Sequence, residues 1–308
     1  MPLFDRYVAV DWSANNAPKL GADSIWACTA LRTKPGVAAV NHATRRAAES
    51  WLTARLMASV HAGERTLVGM DFPYGYPSGF ADALRLRGAA WRATWSYLTR
   101  RVIDDEHNKS NRFEVASEIN TALGPRRPFW GTPARVALPN VPARKEVTYQ
   151  GPDNADGLAE WREVERVIQA RGARPQPVWK LCYTGSVGSQ TLVGIPVLAR
   201  LRRHHALRAV SHVWPFETLV PDLPTGRAAI IHAEIWPSLV PFADEPGRCN
   251  DERQVRAVVQ KWRELDRADC LADSFAAPHS SRAVRDEEGW VLGVASLGST
   301  PSHQSTTL

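Results

Sequence analysis

Along the first seventy residues the apolar positions fall in short runs broken by turn formers, a rhythm of strands and not of helices. Arg6-Tyr-Val-Ala-Val-Asp reads as a buried strand over 6–12, Ser24-Ile-Trp-Ala-Cys-Thr-Ala-Leu as a second over 24–31, and Gly36-Val-Ala-Ala-Val-Asn as a third over 36–41. Turn signals at Ala14-Asn-Asn-Ala-Pro and Lys34-Pro-Gly separate them, which favours an antiparallel meander. The period then turns helical. Thr44 caps a helix to about residue 61, with Trp51, Leu52, Leu56 and Val60 as its apolar stripe. Glu49 on that helix reads as a solvated surface residue, the alternative being a helix-borne ligand. A continuous apolar run at 66–71 follows, and the helical crossover allows this strand to lie parallel to the first.

The middle of the chain is helical and interrupted. Phe80 to about Glu106 reads as one long amphipathic helix, 112–122 as another, 157–171 as a third with Trp161, Val164, Val167 and Ile168 on one face, and 190–201 as an apolar fourth. The stretch Gly124-Pro-Arg-Arg-Pro-Phe-Trp-Gly-Thr-Pro and the Pro/Gly-rich 128–155 must be loop. A strand is expected at 228–235. A helix follows from about 251 to 264, capped by Asn250 and with Asp251 and Glu252 at its positive end, and a further helical stretch covers 268–277. Residues 289–295 read as a short terminal strand or a segment packed on the core, and 296–308 as a tail with almost nothing to bury. The pattern predicts an α/β fold, a mixed sheet flanked by helices. Its core would comprise 1–71 and 206–295, and 72–205 would be a helical insertion after the fourth strand, a lid or substrate-selection subdomain over the end of that strand.

Acidic residues sit where the apolar strands run out. Asp11 ends the first, Asp71 the fourth and Glu234 the late one, while Asp273 lies in Ala268-Asp-Cys-Leu-Ala-Asp-Ser-Phe-Ala-Ala. A carboxylate at the end of a strand is held by the sheet while its head reaches a cleft, and several together offer hard oxygen ligands for Mg(II) or Mn(II). Asp and Glu also leave strands simply as turn formers.

The order of elements and the phrases Val8-Ala-Val-Asp-Trp-Ser, Val68-Gly-Met-Asp-Phe-Pro, Ala233-Glu-Ile-Trp-Pro-Ser and Asp269-Cys-Leu-Ala-Asp-Ser-Phe-Ala-Ala resemble a bacterial family of RNase H-like nucleases. The resemblance covers roughly 6–75 and 225–280. It implies an RNase H-like fold in which Asp11, Asp71 and Asp273 match the metal-binding acids of the ribonuclease H superfamily, and Glu234 a family motif of less defined role. Asp269, four residues before Asp273 and on the same helical face, is able to exchange roles with it. A two-ion Mg(II) or Mn(II) site hydrolysing phosphodiester bonds is the implied chemistry.

Charge and composition bear on partners. A net charge of +6 and a pI near 9.3 permit nucleic-acid binding, and Arg outnumbers Lys by 32 to 6. Arg126, Arg127, Arg202 and Arg203 form local clusters suited to phosphate contacts, with Trp91, Trp95, Trp130 and Trp179 as stacking surfaces or, for the helical pair Trp91 and Trp95, as core. Glu114 and Glu118, beside Arg112, read as an exposed charged face or as ligands. Gly185-Ser-Val-Gly-Ser-Gln runs straight into a helix. It is either a capping turn or an anion site in which Ser186, Gly188, Ser189 and Gln190 hold a small anionic ligand near Asp11. Four scattered cysteines suggest neither zinc nor disulfides, and no run is long enough to span a bilayer, so no membrane partner and a cytoplasmic location are expected. Alternatives to a nuclease are an accessory enzyme acting on a nucleotide or pterin in cofactor biosynthesis, and a catalytically silent nucleic-acid or protein-binding module. The silent module is favoured if the acids are salt-bridged to arginines.

Overall fold

The computed structural model describes residues 2–133, 135–136, 138–146, 149, 157–218, 227–278 and 280–295. The expected tail at 296–308 lies outside them, as does part of the loop expected at 128–155. Strands β1 (Arg6–Asp11), β2 (Ile25–Leu31) and β3 (Val37–His42) form the antiparallel meander that the turn signals suggest. Helices occupy Arg45–His61 (α1), Phe80–Ala83 (α2), Ala90–Arg101 (α3), Arg112–Ala122 (α4), Glu163–Ala170 (α5), Val187–Arg203 (α6) and Asn250–Arg267 (α7). Thr44 caps α1 by accepting from the Ala47 N–H at 3.2 Å. This crossover returns β4 (Arg65–Met70) parallel to β1. Strands β5 (Ser211–Val213) and β6 (Ala229–Glu234) complete a six-stranded mixed sheet of order β3-β2-β1-β4-β6-β5.

The central strands are apolar on both faces, which is why they read as continuous runs. Val8, Val10, Val68 and Met70 enter one core with Leu52 and Leu56 of α1, Trp95 and Leu98 of α3, Ile119 of α4, and Leu192, Ile195 and Leu198 of α6. Tyr7, Ala9, Leu67 and Ile231 enter the other with Val164 and Ile168 of α5 and Val255, Val258 and Trp262 of α7. The contact with α7 is close. A Cβ on Gly69 would lie 2.5 Å from Trp262 and 2.6 Å from Ile235, so β4 tolerates only glycine beneath this helix.

Several expectations change. The helix expected from Phe80 to Glu106 is two, because Arg85 and Gly88 take positive φ of 54° and 103° between α2 and α3. The helix expected over 157–171 starts at Glu163, and the stretch 268–277 holds a 3-10 helix, Leu271–Phe275, in place of a full helical run. Strand β5 is three residues long, too short to show a period. Within 72–205, α3, α4 and α6 contribute to the apolar core on one face of the sheet and α5 to that on the opposite face. The terminal segment packs on the core, with Trp290, Val291 and Leu292 buried and the Leu292 N–H donating to the Glu234 carbonyl at 2.9 Å. Trp91 and Trp95 are core residues, 6% and 3% exposed.

Candidate active site

Parallel pairing places Val10 beside Met70 and Met70 beside Glu234, so Asp11, Asp71 and Glu234 leave neighbouring strands at one edge of the sheet. The Asp11 and Asp71 carboxyls are hydrogen-bonded to each other. Burial first, then the Asp251 carboxylate, holds the Asp11 pKa up at about 7. Burial and the adjacent Asp11 push Asp71 further above the carboxylate range, while its Oδ1 accepts from the Trp12 N–H at 2.6 Å. Both carboxyls are pushed up by burial and by neighbouring carboxylates, so the pair shares a proton between two crowded groups.

Asp251 is the third acid. It lies in the first turn of α7, whose packing on β1 and β2 carries its N-terminus to the Asp11 end of the sheet. Asp251 Oδ2 accepts from the Asp23 N–H at 2.6 Å, and burial raises its pKa. Asp11 and Asp251 line a cleft of about 610 Å³ together with Asp23, and the same cleft meets cationic side chains Lys19, Arg112 and Arg135.

Asp273 and Asp269 are not part of this group. They follow the C-terminus of α7, an 18-residue helix spanning about 27 Å. At that end Asp266 accepts from the N–H groups of Leu3 and Phe4 at 2.6 and 2.9 Å, and Phe275 stacks on Phe4 with ring centroids 6.1 Å apart. Leu3 and Phe4 precede β1, whereas Asp11 ends it; Asp273 itself is exposed and does not line the Asp11 cleft, while its neighbour Ser274 accepts through its carbonyl from the Gly293 N–H, next to the Leu292 that bonds Glu234. The last helix contributes its first turn to the acid edge, not its end.

Glu234 reaches the right edge and is paired there with Arg162. Its Oε1 and Oε2 accept from Arg162 Nη2 and Nη1 at 2.5 and 2.7 Å, and Oε2 also accepts from the Tyr74 N–H at 2.9 Å. Arg162, 1% exposed, also pairs with Glu165 at 2.5 Å and donates to the Glu288 carbonyl. Burial raises the Glu234 pKa while Arg162 opposes it. This carboxylate holds α5 against β6, with three of its lone-pair sites taken by Arg162 and the Tyr74 N–H.

The start of α6 faces the Asp11 cleft, with Ser186, Ser189 and Gln190 among its lining residues. Its backbone donors are consumed locally: Gly188 N–H bonds to the Lys180 carbonyl at 2.9 Å, and Ser189 and Gln190 N–H to the Ser186 carbonyl at 3.1 and 3.4 Å. A Cβ on Gly188 would sit 2.4 Å from the Val178 carbonyl oxygen, so this glycine serves close packing. Gln190 Nε2 donates to the Trp12 carbonyl, tying α6 to the exit of β1. The loop has the expected position, with the N–H groups of Gly188, Ser189 and Gln190 already spent on backbone carbonyls.

The expected nucleic-acid arginines are elsewhere. Arg202 and Arg203 end α6, about 20 Å along its axis from Ser189. Arg202 is bidentate to Glu217 at 2.7 and 2.9 Å, and Arg203 Nε donates to the Ala199 carbonyl at 3.1 Å. Arg126 and Arg127 follow α4 and do not line the cleft. Glu49 is bound by Arg200 at 2.6 Å on the surface, and Glu118 faces Arg101 at 3.9 Å. The four cysteines are free, and among the described residues no helix is long and apolar enough to cross a membrane.

Asp251 and Arg112 are the cleft residues that sequence reasoning passed over. Asp251 had a signal, an acid in the first turn of the last helix, but it read as a partner for the helix dipole. Among the described residues no group of three or more His, Cys, Asp or Glu side chains forms a ready ion cage. Asp11 and Asp71 are in contact, and Asp251 is close enough to raise both. Compared with protein-family models, curated proteins and solved structures, the chain matches none.

Proposed function

We propose that the Asp11 cleft carries out metal-assisted hydrolysis of phosphoester bonds, with Asp11 and Asp71 as the primary ligands and Asp251 completing the acid set. The observation that carries the reading is the Asp11–Asp71 contact: two carboxylates at adjacent strand ends, both with raised pKa, and no arginine or lysine among the described residues neutralising them. Such a pair needs a proton or a cation, and its donor atoms are the hard oxygens that Mg(II) or Mn(II) takes. The antiparallel β1–β3 meander followed by parallel β4 and β6 also has the order that the RNase H-like resemblance implies.

When bound, Mg(II) or Mn(II) supplies Lewis acidity toward a phosphoryl oxygen and makes water a better nucleophile at neutral pH. The chain's own part is to hold and release charge. The Asp11–Asp71 pair shares a proton that it would give up when a cation takes its place. The Trp12 N–H fixes the Asp71 carboxyl, and α7 delivers Asp251 to the same edge. In a two-ion arrangement Asp251 would serve the second ion.

Nucleic acid is the substrate proposed first, on the net charge and on the cationic residues facing the acids across the cleft. A nucleotide-like small molecule is the second reading. It is favoured by a cleft of about 610 Å³, a small-ligand size, and by the commitment of Arg202 to Glu217. The test is a cleavage screen in Mg(II) and Mn(II) with single-stranded, duplex, branched and hybrid nucleic acids and with nucleotides. Metal-dependent turnover of one substrate class, lost in Asp11→Asn and kept in Asp273→Asn, supports the proposal. No turnover of any phosphoester, or turnover that survives Asp11→Asn, rejects it.

A further inference from the structure

Buried arginines in this protein are generally matched by acids or carbonyls. Arg45 pairs with Asp104 at 2.5 Å and Arg162 with Glu165 and Glu234 at 2.5 Å, while Arg263 donates to the carbonyls of Lys34 and Gly36 at 2.7 and 3.0 Å. Arg112 differs. It is 7% exposed, yet its hydrogen bonds all go to neutral side-chain oxygens: Nε to Ser189 Oγ at 3.1 Å, and Nη1 to Asn16 Oδ1 and Ser110 Oγ, both at 2.8 Å. Nη2 has no hydrogen-bond partner among the described residues, and the side chain lines the Asp11 cleft.

A guanidinium withdrawn from water without a counter-ion is unfavourable unless an anion completes it. Here the withdrawal is built in from three directions. Asn16 comes from the loop that follows β1, Ser110 from the turn before α4, and Ser189 from the first turn of α6. Together they fix the plane of the fork and leave its Nη2 edge for something else. Burial, aided by the nearby Arg45, lowers the Arg112 pKa to about 10, as expected for a cation that has the Phe113 ring 4.5 Å away but no carboxylate bonded to it, and Arg45 itself is spent on Asp104. Arg135, exposed at the same cleft, adds a second positive charge.

We propose that Arg112 is the phosphate-recognition residue of this cleft, a positioning residue that takes a phosphoryl oxygen on its open edge and presents the phosphorus to the acid pair. Bidentate geometry and permanent charge suit arginine to this task. The inference rests on the reading of the cleft as a phosphoester-hydrolysing site, and it names the group by which a substrate, internal diester or terminal monoester, would be held. It also accounts for the anion that the start of α6 suggests by position. Ser189 supports the site by aligning Arg112, not by direct contact through its N–H.

The experiment uses the full chain in chelator, so that phosphate binding is read apart from metal binding and catalysis. Inorganic phosphate, thymidine 5′-monophosphate and a thymidine dinucleotide are titrated by calorimetry against wild type, Arg112→Lys, Arg112→Gln and the surface control Arg171→Gln. Wild type and Arg171→Gln should bind. Arg112→Gln should lose at least about tenfold in affinity, the worth of a charge-assisted hydrogen bond, and Arg112→Lys should fold as wild type while losing part of it. A monoester bound and a dinucleotide refused would mark a terminal phosphate, and equal binding an internal diester; both support the assignment. Wild type that binds none of the three, or an Arg112→Lys and Arg112→Gln pair with unaltered affinity, overturns it. If Arg112→Gln does not fold, the lysine variant decides alone. Phosphate binding that depends on Arg112 without hydrolysis in any metal would reject the hydrolytic reading and leave this one standing.

Discussion

Replacing Asp11 with Asn should make the metal-free protein more stable at alkaline pH, the reverse of what loss of a buried hydrogen-bonded residue usually does. The Asp11 pKa of about 7 stands above its ordinary 3.8, burial being the first cause and Asp251 the second. Between those two values the native protein binds a proton that the unfolded chain has released, so unfolding becomes easier as pH rises. The stabilising contribution is complete below about pH 4 and is lost as pH passes through 7. About three pH units at 1.36 kcal/mol each give about 4 kcal/mol, and partial exposure of the cleft reduces this to about 2–4 kcal/mol. The asparagine side chain of the variant carries no such dependence and still offers a hydrogen bond to Asp71. Urea denaturation in chelator, followed by tryptophan fluorescence from pH 4 to pH 8, measures the difference directly. The variant should exceed wild type by about 2–4 kcal/mol at pH 8 and match it near pH 4. A variant less stable at pH 8, or a difference that does not change with pH, would show that the acids are not crowded as described.

Arg162→Met should destabilise by about 3–5 kcal/mol, because it leaves the buried Glu165 and Glu234 without their cation; a loss below about 1 kcal/mol in urea melts would contradict the role given to Glu234. Gly75→Ala should cost more than about 2 kcal/mol, since the new Cβ would stand 2.0 Å from the Glu287 carbonyl oxygen and 2.6 Å from that of Glu288, both backbone. The same substitution should loosen the segment that Glu287 and Glu288 hold through the N–H groups of Ser78, Gly79 and Ala81, seen as faster amide exchange there. Rising pH from about 4.5 through 7 should lower stability as the buried Glu288, whose pKa desolvation raises to about 7, ionises, and Glu288→Gln should flatten that part of the stability profile.

The sheet was legible because its strands carry period and punctuation: buried runs for β1 and β4, turn residues between β1, β2 and β3, and a Thr44 cap for the crossover. Strand-final Asp11 and Asp71 followed from the same runs. What failed was polarity in space. Asp251 and Asp273 both lie in or near the last helix, and only the packing of α7 on β1 and β2 decides which end of the helix meets Asp11. Glu234 failed differently, since its partner Arg162 is 72 residues away in sequence and no local pattern couples them. Arg112 carried no signal of its own. Its meaning comes from Asn16, Ser110 and Ser189 converging on it and from the absence of an acid among them.

We propose that Asp11, Asp71 and Asp251 form the ion site and that Asp273 does not. Mn(II) binding, counted by the paramagnetic resonance of the free ion, tests this in wild type and in Asp11→Asn, Asp71→Asn, Asp251→Asn and Asp273→Asn. The first two variants should lose binding, Asp251→Asn should weaken it by about tenfold or more, the worth of one carboxylate near the site, and Asp273→Asn should bind as wild type does. Retention of Mn(II) by Asp11→Asn, or its loss from Asp273→Asn with the fold intact, would contradict it.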